Sequence, residues 1–175
     1  QMVEDVLKTP SRLIGMIQPA EAGLEALAQI GCAGRIAAFS ELDDGRLMIS
    51  LKAISRFRLA EVRPGFTPYL RGQVDWQGFA GDLGAEPEQD ADFARTGFMA
   101  RLSRYMEQRN LSTDWDSAEA TDDETLVNSM SMLLPFAPEE KQALLECPTL
   151  SQRRALLDGL LAYALHGGDN EETIQ

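Results

Sequence analysis

The sequence predicts an α+β protein whose first half consists mainly of strands and whose second half consists of helices. Alternate residues are apolar along 47–59, which is the two-residue period of a strand with one face on a core. Beyond residue 92, apolar residues recur every three or four positions, as in amphipathic helices. Charge divides at the same place, because residues 1–75 hold nine basic and nine acidic residues, and residues 76–175 hold seven basic and nineteen acidic ones. We therefore expect two subdomains of different type.

The first subdomain is expected to be a set of antiparallel strands that follows a short N-terminal helix. Strands are predicted at Arg12–Ile17 and Cys32–Leu42, and the Asp-Gly pair at residues 44–45 favours a tight hairpin turn. The alternation after the turn predicts a core-facing set of residues: Leu47, Ile49, Leu51, Ala53, Phe57 and Leu59. It predicts a solvent-facing set as well: Ser50, Lys52, Arg56 and Arg58. A strand of this length is expected to bend or to contain a bulge.

Tyr69–Trp76 alternates again, with Leu70, Val74 and Trp76 on one side. Several antiparallel strands joined by tight turns favour a small barrel or sandwich over a doubly wound parallel sheet. Gly, Asp, Glu and Pro then predominate, which is typical of a linker. We therefore expect a β-rich subdomain at residues 1–76, a linker at 77–92 and a helical subdomain at 93–175.

The helical subdomain is expected to contain at least four helices. The first, at 93–109, has four apolar residues on one face: Phe98, Leu102, Tyr105 and Met106. Thr121 and Glu124 have the spacing of a capping box, which predicts a helix that carries Leu126, Val127, Met130, Leu133 and Leu134. Pro138 suits the first turn of a short third helix. Thr149 and Gln152 form a second capping box, which opens a helix rich in leucine.

Composition excludes several classes of function. The formal net charge is −12, and such an acidic chain repels phosphate backbones, so nucleic acid is an unfavourable partner. No metal site is expected, because Cys32, Cys147 and His166 lie far apart in sequence, and we interpret both cysteines as buried thiols. No apolar run approaches the roughly 20 residues of a membrane-spanning helix, and no signal peptide is visible. The sequence therefore predicts a cytoplasmic protein without a membrane partner.

Catalytic motifs are also absent from the sequence. There is no phosphate-binding GxxxxGK[ST] loop, no GxGxxG and no GxSxG, and His166 is interpreted as a surface residue rather than a catalytic base. An acidic cluster could bind a divalent cation, but helix capping and solubility explain it better: Asp114, Asp116, Glu119, Asp122, Asp123 and Glu124. Met130 and Met132 are interpreted mainly as core residues, with a plastic binding surface as the alternative. We expect neither enzymatic activity nor a cofactor.

Two blocks of sequence resemble a known family. Gly31–Ile36, Glu41–Arg46 and Ile54–Leu59 resemble the G-x-x-A/G-R-I strand, the acidic DG turn and the R-F-R strand of the N-terminal substrate-recognition domain of Lon protease. In the helical half, Met132–Phe136 and Pro138–Glu146 are similar to the LPLxPEEKQxLLE region of that family. The resemblance covers nearly the whole chain.

The resemblance implies a fold and a role. It implies a six-stranded, PUA-like β pseudo-barrel followed by a C-terminal helical bundle, in a stand-alone bacterial Lon-domain protein without the ATPase and Ser-Lys peptidase modules. Members of the family open with an apolar strand that is not seen before Gln1, so the first strand and the true N-terminus are expected to be missing. The implied role is a non-catalytic module that binds exposed segments of unfolded or damaged polypeptides.

The sequence leaves several hypotheses open about how such a module works. We expect an apolar groove where the two subdomains meet, and its candidate substrate-binding residues are Trp76, Phe79, Leu133 and Phe136. An extended peptide could also add a strand to a barrel edge. The alternative function is an adaptor or regulator that docks on a protease component, or on a second copy of itself, through the acidic helical half. RNA binding, by analogy with other PUA-like barrels, is disfavoured by the net charge.

Overall fold

The structure is a computed structural model that describes residues 1–21, 23–84 and 86–171. The chain divides into two compact units, Gln1–Gly84 and Ala85–Gln175. Strands form most of the first unit and helices form the second, so the α+β class predicted from the sequence is confirmed. Residue 22 of the predicted β-rich subdomain, residue 85 of the predicted linker and residues 172–175 of the predicted helical subdomain lie outside the described residues.

The first unit contains six strands in its described part, after helix α1 at Met2–Leu7. They are β1 (Leu13–Met16), β2 (Pro19–Glu21), β3 (Gly23–Leu27), β4 (Ile30–Glu41), β5 (Leu47–Arg63) and β6 (Arg71–Asp75). Four of them form an antiparallel sheet in the order β1-β4-β5-β6, and β2 and β3 form a separate two-stranded ribbon. A 3₁₀ helix at Gln77–Leu83 completes the unit.

The β4–β5 hairpin has the turn that the Asp-Gly pair predicts. Gly45 has φ = 78°, a left-handed conformation that glycine adopts without steric cost, and its N–H donates a hydrogen bond to the Leu42 carbonyl at 2.9 Å. Two register shifts follow within the hairpin, between Ala33 and Gly34 and between Ile36 and Ala38. The irregularity predicted for this long strand is therefore confirmed.

One register shift corrects the predicted assignment of faces along β5. Phe57 lies opposite Gly31 and Ser55 opposite Ala33, but Ala53 lies opposite Gly34, so Ile54 is an extra residue on β5. Directly paired residues share a face, and the extra residue reverses the alternation. Leu51 and Ala53 therefore lie on the face opposite to Phe57. The prediction that all the odd-numbered apolar residues face one core was wrong.

Arg56 was predicted to face water, and the structure buries it. Its side chain is 9% exposed, and its Nη2 donates to Oδ1 of Asp82 at 2.7 Å, while its Nε donates to Oδ2 at 2.9 Å. The guanidinium carbon lies 4.4 Å from the centre of the Phe79 ring. Both partners belong to the 3₁₀ helix, so the start of the predicted 77–92 linker is an ordered element that covers Arg56.

The second unit contains five helices in its described part, with one shared apolar core. They are α2 (Arg95–Gln108), α3 (Trp115–Ala120), α4 (Asp123–Leu133), α5 (Pro138–Glu146) and α6 (Leu150–Glu171). Four residues predicted for one face of the first helix are all buried: Phe98, Leu102, Tyr105 and Met106. The core also takes residues from the other helices and their connections, among them Ala118, Leu126, Val127, Leu144, Leu157 and Leu161.

The predicted cap of α6 is correct, and the predicted cap of α4 lies one residue before the observed one. The N–H of Gln152 donates to Oγ1 of Thr149 at 3.3 Å, as the capping box predicts. At α4 the N-cap is Asp122, whose carboxylate accepts the N–H of Thr125 at 2.9 Å. Thr121 instead is the C-cap residue of α3, and its hydroxyl donates to the Ser117 carbonyl. Within the described residues, no helix is both long and apolar enough to cross a membrane.

Candidate functional site

An apolar cavity of about 340 Å³ lies against one face of the four-stranded sheet. Its lining comes from five strands, β1, β3, β4, β5 and β6, and from residues that flank them. The lining residues are Leu13, Gly15, Ile17, Leu27, Ala33, Phe57, Leu59, Val62, Leu70, Arg71, Gly72, Val74 and Trp76. Among the described residues, Arg71 is the only charged one in this lining. A concave apolar surface with few polar groups is typical of a ligand-binding site.

Two glycines contribute to the shape of the cavity because they have no side chain. A Cβ atom at Gly72 would lie 2.8 Å from Cδ1 of Leu59, and one at Gly15 would lie 3.2 Å from Cζ of Phe57. At both positions glycine lets a large apolar side chain of β5 lie close to the backbone of another strand, which is β6 for Leu59 and β1 for Phe57. The shape of the cavity therefore depends on glycines whose backbone lies against large side chains of β5.

Trp76 lies beside the cavity, directly after β6. Its ring meets that of Phe57 edge to face, with centroids 5.8 Å apart and an interplanar angle of 70°, which is a favourable aromatic geometry. Its side chain remains 38% exposed. A large ring that is fixed on one side and accessible on the other can contact a bound molecule.

The four residues predicted to bind substrate lie in different environments. Trp76 lines the cavity, whereas Phe79, at 7% exposure, is buried beneath Arg56. Leu133 is 72% exposed at the end of α4, and Phe136 packs against the helical core with its ring centre 6.0 Å from that of Tyr105. None of the last three lines the cavity. A site that all four residues form together stays a prediction.

Sequence reasoning did not select most of the cavity lining, including Leu13, Ile17, Leu27 and Val62. The alternation at Tyr69–Trp76 did place Leu70, Val74 and Trp76 on one side, and all three line the cavity. That period was the usable signal in the sequence. The contribution of β1 and β3 depends on tertiary structure, which local periodicity does not specify.

Two arginines occupy one end of the β5–β6 pair. Arg63 and Arg71 lie directly opposite each other in the register, and both are exposed. Arg63 donates a hydrogen bond to Oε1 of Gln73. Among the described residues, no carboxylate forms an ion pair with either arginine. Like charges directly opposite each other in a sheet repel, so an anion here would be favourable.

The cysteines and the histidine show no catalytic arrangement. Cys32 and Cys147 are half-buried, whereas the sequence predicted buried thiols. Burial, reinforced by the charge of Asp82, raises the pKa of the Cys32 thiol, which disfavours a reactive thiolate. His166 is exposed, with Nδ1 2.7 Å from the Ala162 carbonyl.

Much of the acidic cluster forms helix caps and pairs. Asp114 caps α3 and Asp122 caps α4, and hydrogen bonds from Ser117 and Thr125, respectively, lower the pKa of these carboxyls. Asp123 pairs with Arg95, and Glu124 accepts the N–H of Glu88 at 2.7 Å. In the described parts of the chain, no three Cys, His, Asp or Glu side chains are grouped so that they could hold a metal ion. Met130 is buried, whereas Met132 is 69% exposed.

The sequence of this chain matches a family of binding modules. Residues 1–162 match the family model described as the ATP-dependent protease La (LON) substrate-binding domain. The chain therefore belongs to this family, which confirms the resemblance found in the sequence. The Lon substrate-binding domain is a non-catalytic module that binds protein substrates.

Two solved structures show the same fold. The N-terminal domain of Mycobacterium avium complex Lon protease is similar with a TM-score of 0.65 and 14% identity, over 91% of this chain and 82% of that one. A Lon N-terminal domain protein from Xanthomonas campestris is similar with a TM-score of 0.54 and 19% identity, over 88% of this chain and 90% of that one. Comparison with curated proteins gave no match.

Proposed function

We propose that this protein binds exposed apolar segments of unfolded or damaged polypeptides, and that the cavity on the sheet is where they bind. The observation that carries this proposal is the cavity of about 340 Å³, in which Arg71 is the one charged residue of the described lining. That volume accommodates one or two large apolar side chains, which folded proteins keep inside their cores. Burying each such side chain contributes about 1.5–3 kcal/mol. Weak and broad binding is therefore expected.

Titration with one protein in two states tests this proposal. A reduced and carboxymethylated globular protein, which stays unfolded, should bind saturably, and the same protein in its native state should not. The fluorescence of Trp76 gives the signal in a Trp115→Phe background, because these are the two tryptophans of the chain. Equal binding of both states, or of neither, would refute the proposal.

A matched pair of double variants locates the binding. Val62→Gln with Leu70→Gln places two polar groups in the cavity lining, where the native side chains are 41% and 68% exposed. Met48→Gln with Leu83→Gln makes the same kind of change at exposed residues outside the lining. We expect the first pair to weaken binding roughly tenfold, through lost apolar contact, and the second pair to leave it unchanged.

An adaptor role for the helical unit is the second proposal, and the pair Met132 and Leu133 favours it. Both are about 70% exposed at the end of α4, in the helical unit, whose sequence carries most of the acidic excess of the chain. Binding through that surface would weaken as salt rises, because it would depend on charge. Binding that is insensitive to salt and is lost in the cavity variant supports the first proposal instead.

A further inference from the structure

We infer that the bound segment joins the sheet as an added strand on the open edge of β6, with its apolar side chains in the cavity and a carboxylate beside Arg63 and Arg71. This inference rests on the proposed function and specifies how the segment is held. The occupant is an extended stretch of polypeptide with alternating apolar residues and an acidic group at one end.

The edge of β6 has no strand partner within the described residues. β6 pairs with β5 and is the last strand in the sheet order. A sheet edge presents a row of N–H and C=O groups that can pair with another chain. Recognition of extended peptides by strand addition uses such edges.

The hydrogen-bond pattern shows which residues of β6 face this edge. The N–H of Leu59 donates to the Gln29 carbonyl at 2.8 Å, so the backbone of Leu59 is directed toward β4 and away from β6. Leu59 lies directly opposite Val74. In an antiparallel ladder this pair is therefore the non-hydrogen-bonded kind, in which both residues turn their N–H and C=O groups outward. Val74 thus presents its donor and acceptor to the open edge, and Gly72, two residues earlier, does the same.

The same two residues line the cavity. Gly72 and Val74 contribute to its wall, as do Leu70 and Trp76 on either side of them. A strand that hydrogen-bonds to Val74 and Gly72 would place the residues opposite them on the same face of the sheet. Backbone pairing and insertion of side chains into the cavity therefore require the same alignment of the segment.

Charge supports this occupant and suggests its direction. Arg63 and Arg71 face each other at the N-terminal end of β6, and no carboxylate of the described residues pairs with them. In an otherwise acidic protein this is a local cationic position that an acidic group of the segment would complement. In an antiparallel strand the C-terminal end of the segment would lie there, so that is where we place the carboxylate.

N-methylated peptides test the inference. The probe is a heptapeptide with acetyl and amide termini, Ser-Val-Ser-Leu-Ser-Val-Glu. The side chains of its Val and Leu residues are expected to enter the cavity, and the backbone N–H groups of the same residues are expected to face β6. Methylating the amide nitrogens of Val and Leu should weaken binding at least roughly tenfold, because those N–H groups would donate to β6. Methylating the serine nitrogens should leave the affinity within about threefold of that of the unmethylated probe, because those N–H groups would face away from β6. Equal effects of the two methylation patterns would overturn the inference.

Two substitutions at Val74 test whether the probe pairs with the edge of β6. Val74→Pro removes the outward N–H from a position where an edge strand tolerates proline, whereas Val74→Ala keeps that N–H and shortens the side chain. We expect the proline variant to bind the probe more weakly than the alanine variant by roughly fivefold or more. Circular dichroism and thermal unfolding of both variants show whether the fold is retained, and a proline variant that is folded and binds as well as the alanine variant would contradict the inference.

Replacing the final Glu of the probe with Gln tests the charge. The loss of affinity should be at least roughly threefold in the wild type and should disappear in a variant with Arg63→Gln and Arg71→Gln. A loss that persists in the double variant would place the carboxylate elsewhere. If neither the unfolded protein nor the probe binds at all, the proposed function fails as well, so the two failures are distinguishable.

Discussion

Arg56 is a charged residue in a strand, and its side chain is nearly inaccessible to solvent. Asp82 accepts hydrogen bonds from its Nε, its Nη2 and its backbone N–H, all between 2.7 and 2.9 Å. Bidentate pairs of this kind are strong because the geometry of the guanidinium matches that of the carboxylate. Removing one partner would leave the other charge partly buried without compensation.

We therefore predict that Arg56→Ala lowers the free energy of unfolding by about 3 kcal/mol. Arg46→Ala is the matched control, because Arg46 pairs with Asp44 at 2.7 Å but its side chain is 78% exposed. That exposed pair should contribute less than about 0.5 kcal/mol. Urea unfolding of the two variants measures the difference, and similar losses in both would show that the burial of Arg56 has no energetic consequence.

The N-terminus of α4 is a helix cap whose strength depends on pH. The N–H of Thr125 donates to the carboxylate of Asp122, and this bond lowers the pKa of that carboxyl below its usual value. A carboxyl with a lowered pKa in the folded state stabilises the fold above its unfolded pKa, near 4, and this contribution is lost as the pH falls through the folded value.

At the scale of this helix, we predict that Asp122→Asn reduces the dependence of stability on pH between pH 6 and pH 3. Asparagine retains an oxygen that caps the helix but carries no charge to titrate. Urea unfolding at the two pH values measures the effect, and Asp43→Asn, which removes a carboxylate from the hairpin turn, is the control. The same pH dependence in both variants would exclude the cap as its source.

Local features of three elements were predicted well from the sequence. The apolar face of α2, the Asp-Gly turn and the alternation along β6 each depend on neighbours in the chain, and the structure has all three. The start of α4 was misplaced by one residue because Thr121 and Asp122 can both cap a helix, and the end of α3 uses Thr121.

The arrangement around Arg56 could not be predicted, since the extra residue Ile54 and the packing of the 3₁₀ helix are set by the fold as a whole. The cavity was only partly predictable for the same reason. The side of the cavity formed by β6 follows a local period. Its lining at Leu13, Ile17 and Leu27, however, comes from segments that lie more than 40 residues before β6 in the sequence.

At the scale of the molecule, each unit has its own core and one tryptophan. Trp76 belongs to Gln1–Gly84 and Trp115 to Ala85–Gln175. Leu157 is completely buried in the helical core. A substitution that leaves a cavity there weakens the packing of the helical unit first.

We predict that Leu157→Ala lowers the stability reported by Trp115 by about 2–5 kcal/mol and leaves the transition reported by Trp76 in place. Denaturant unfolding in Trp76→Phe and Trp115→Phe backgrounds separates the two signals. A shift of the same size in both signals would mean that the two units unfold as one.

The extra residue at Ile54 has a consequence for how this chain can vary in length. Deleting one residue from β5 on either side of it would exchange the inner and outer side chains over the rest of the hairpin. Substitutions in the same strand change one side chain at a time. Single-residue deletions in β5 should therefore be tolerated far less well than replacements, and relatives should keep the spacing between the Asp-Gly turn and Phe57 even where the residues between them differ.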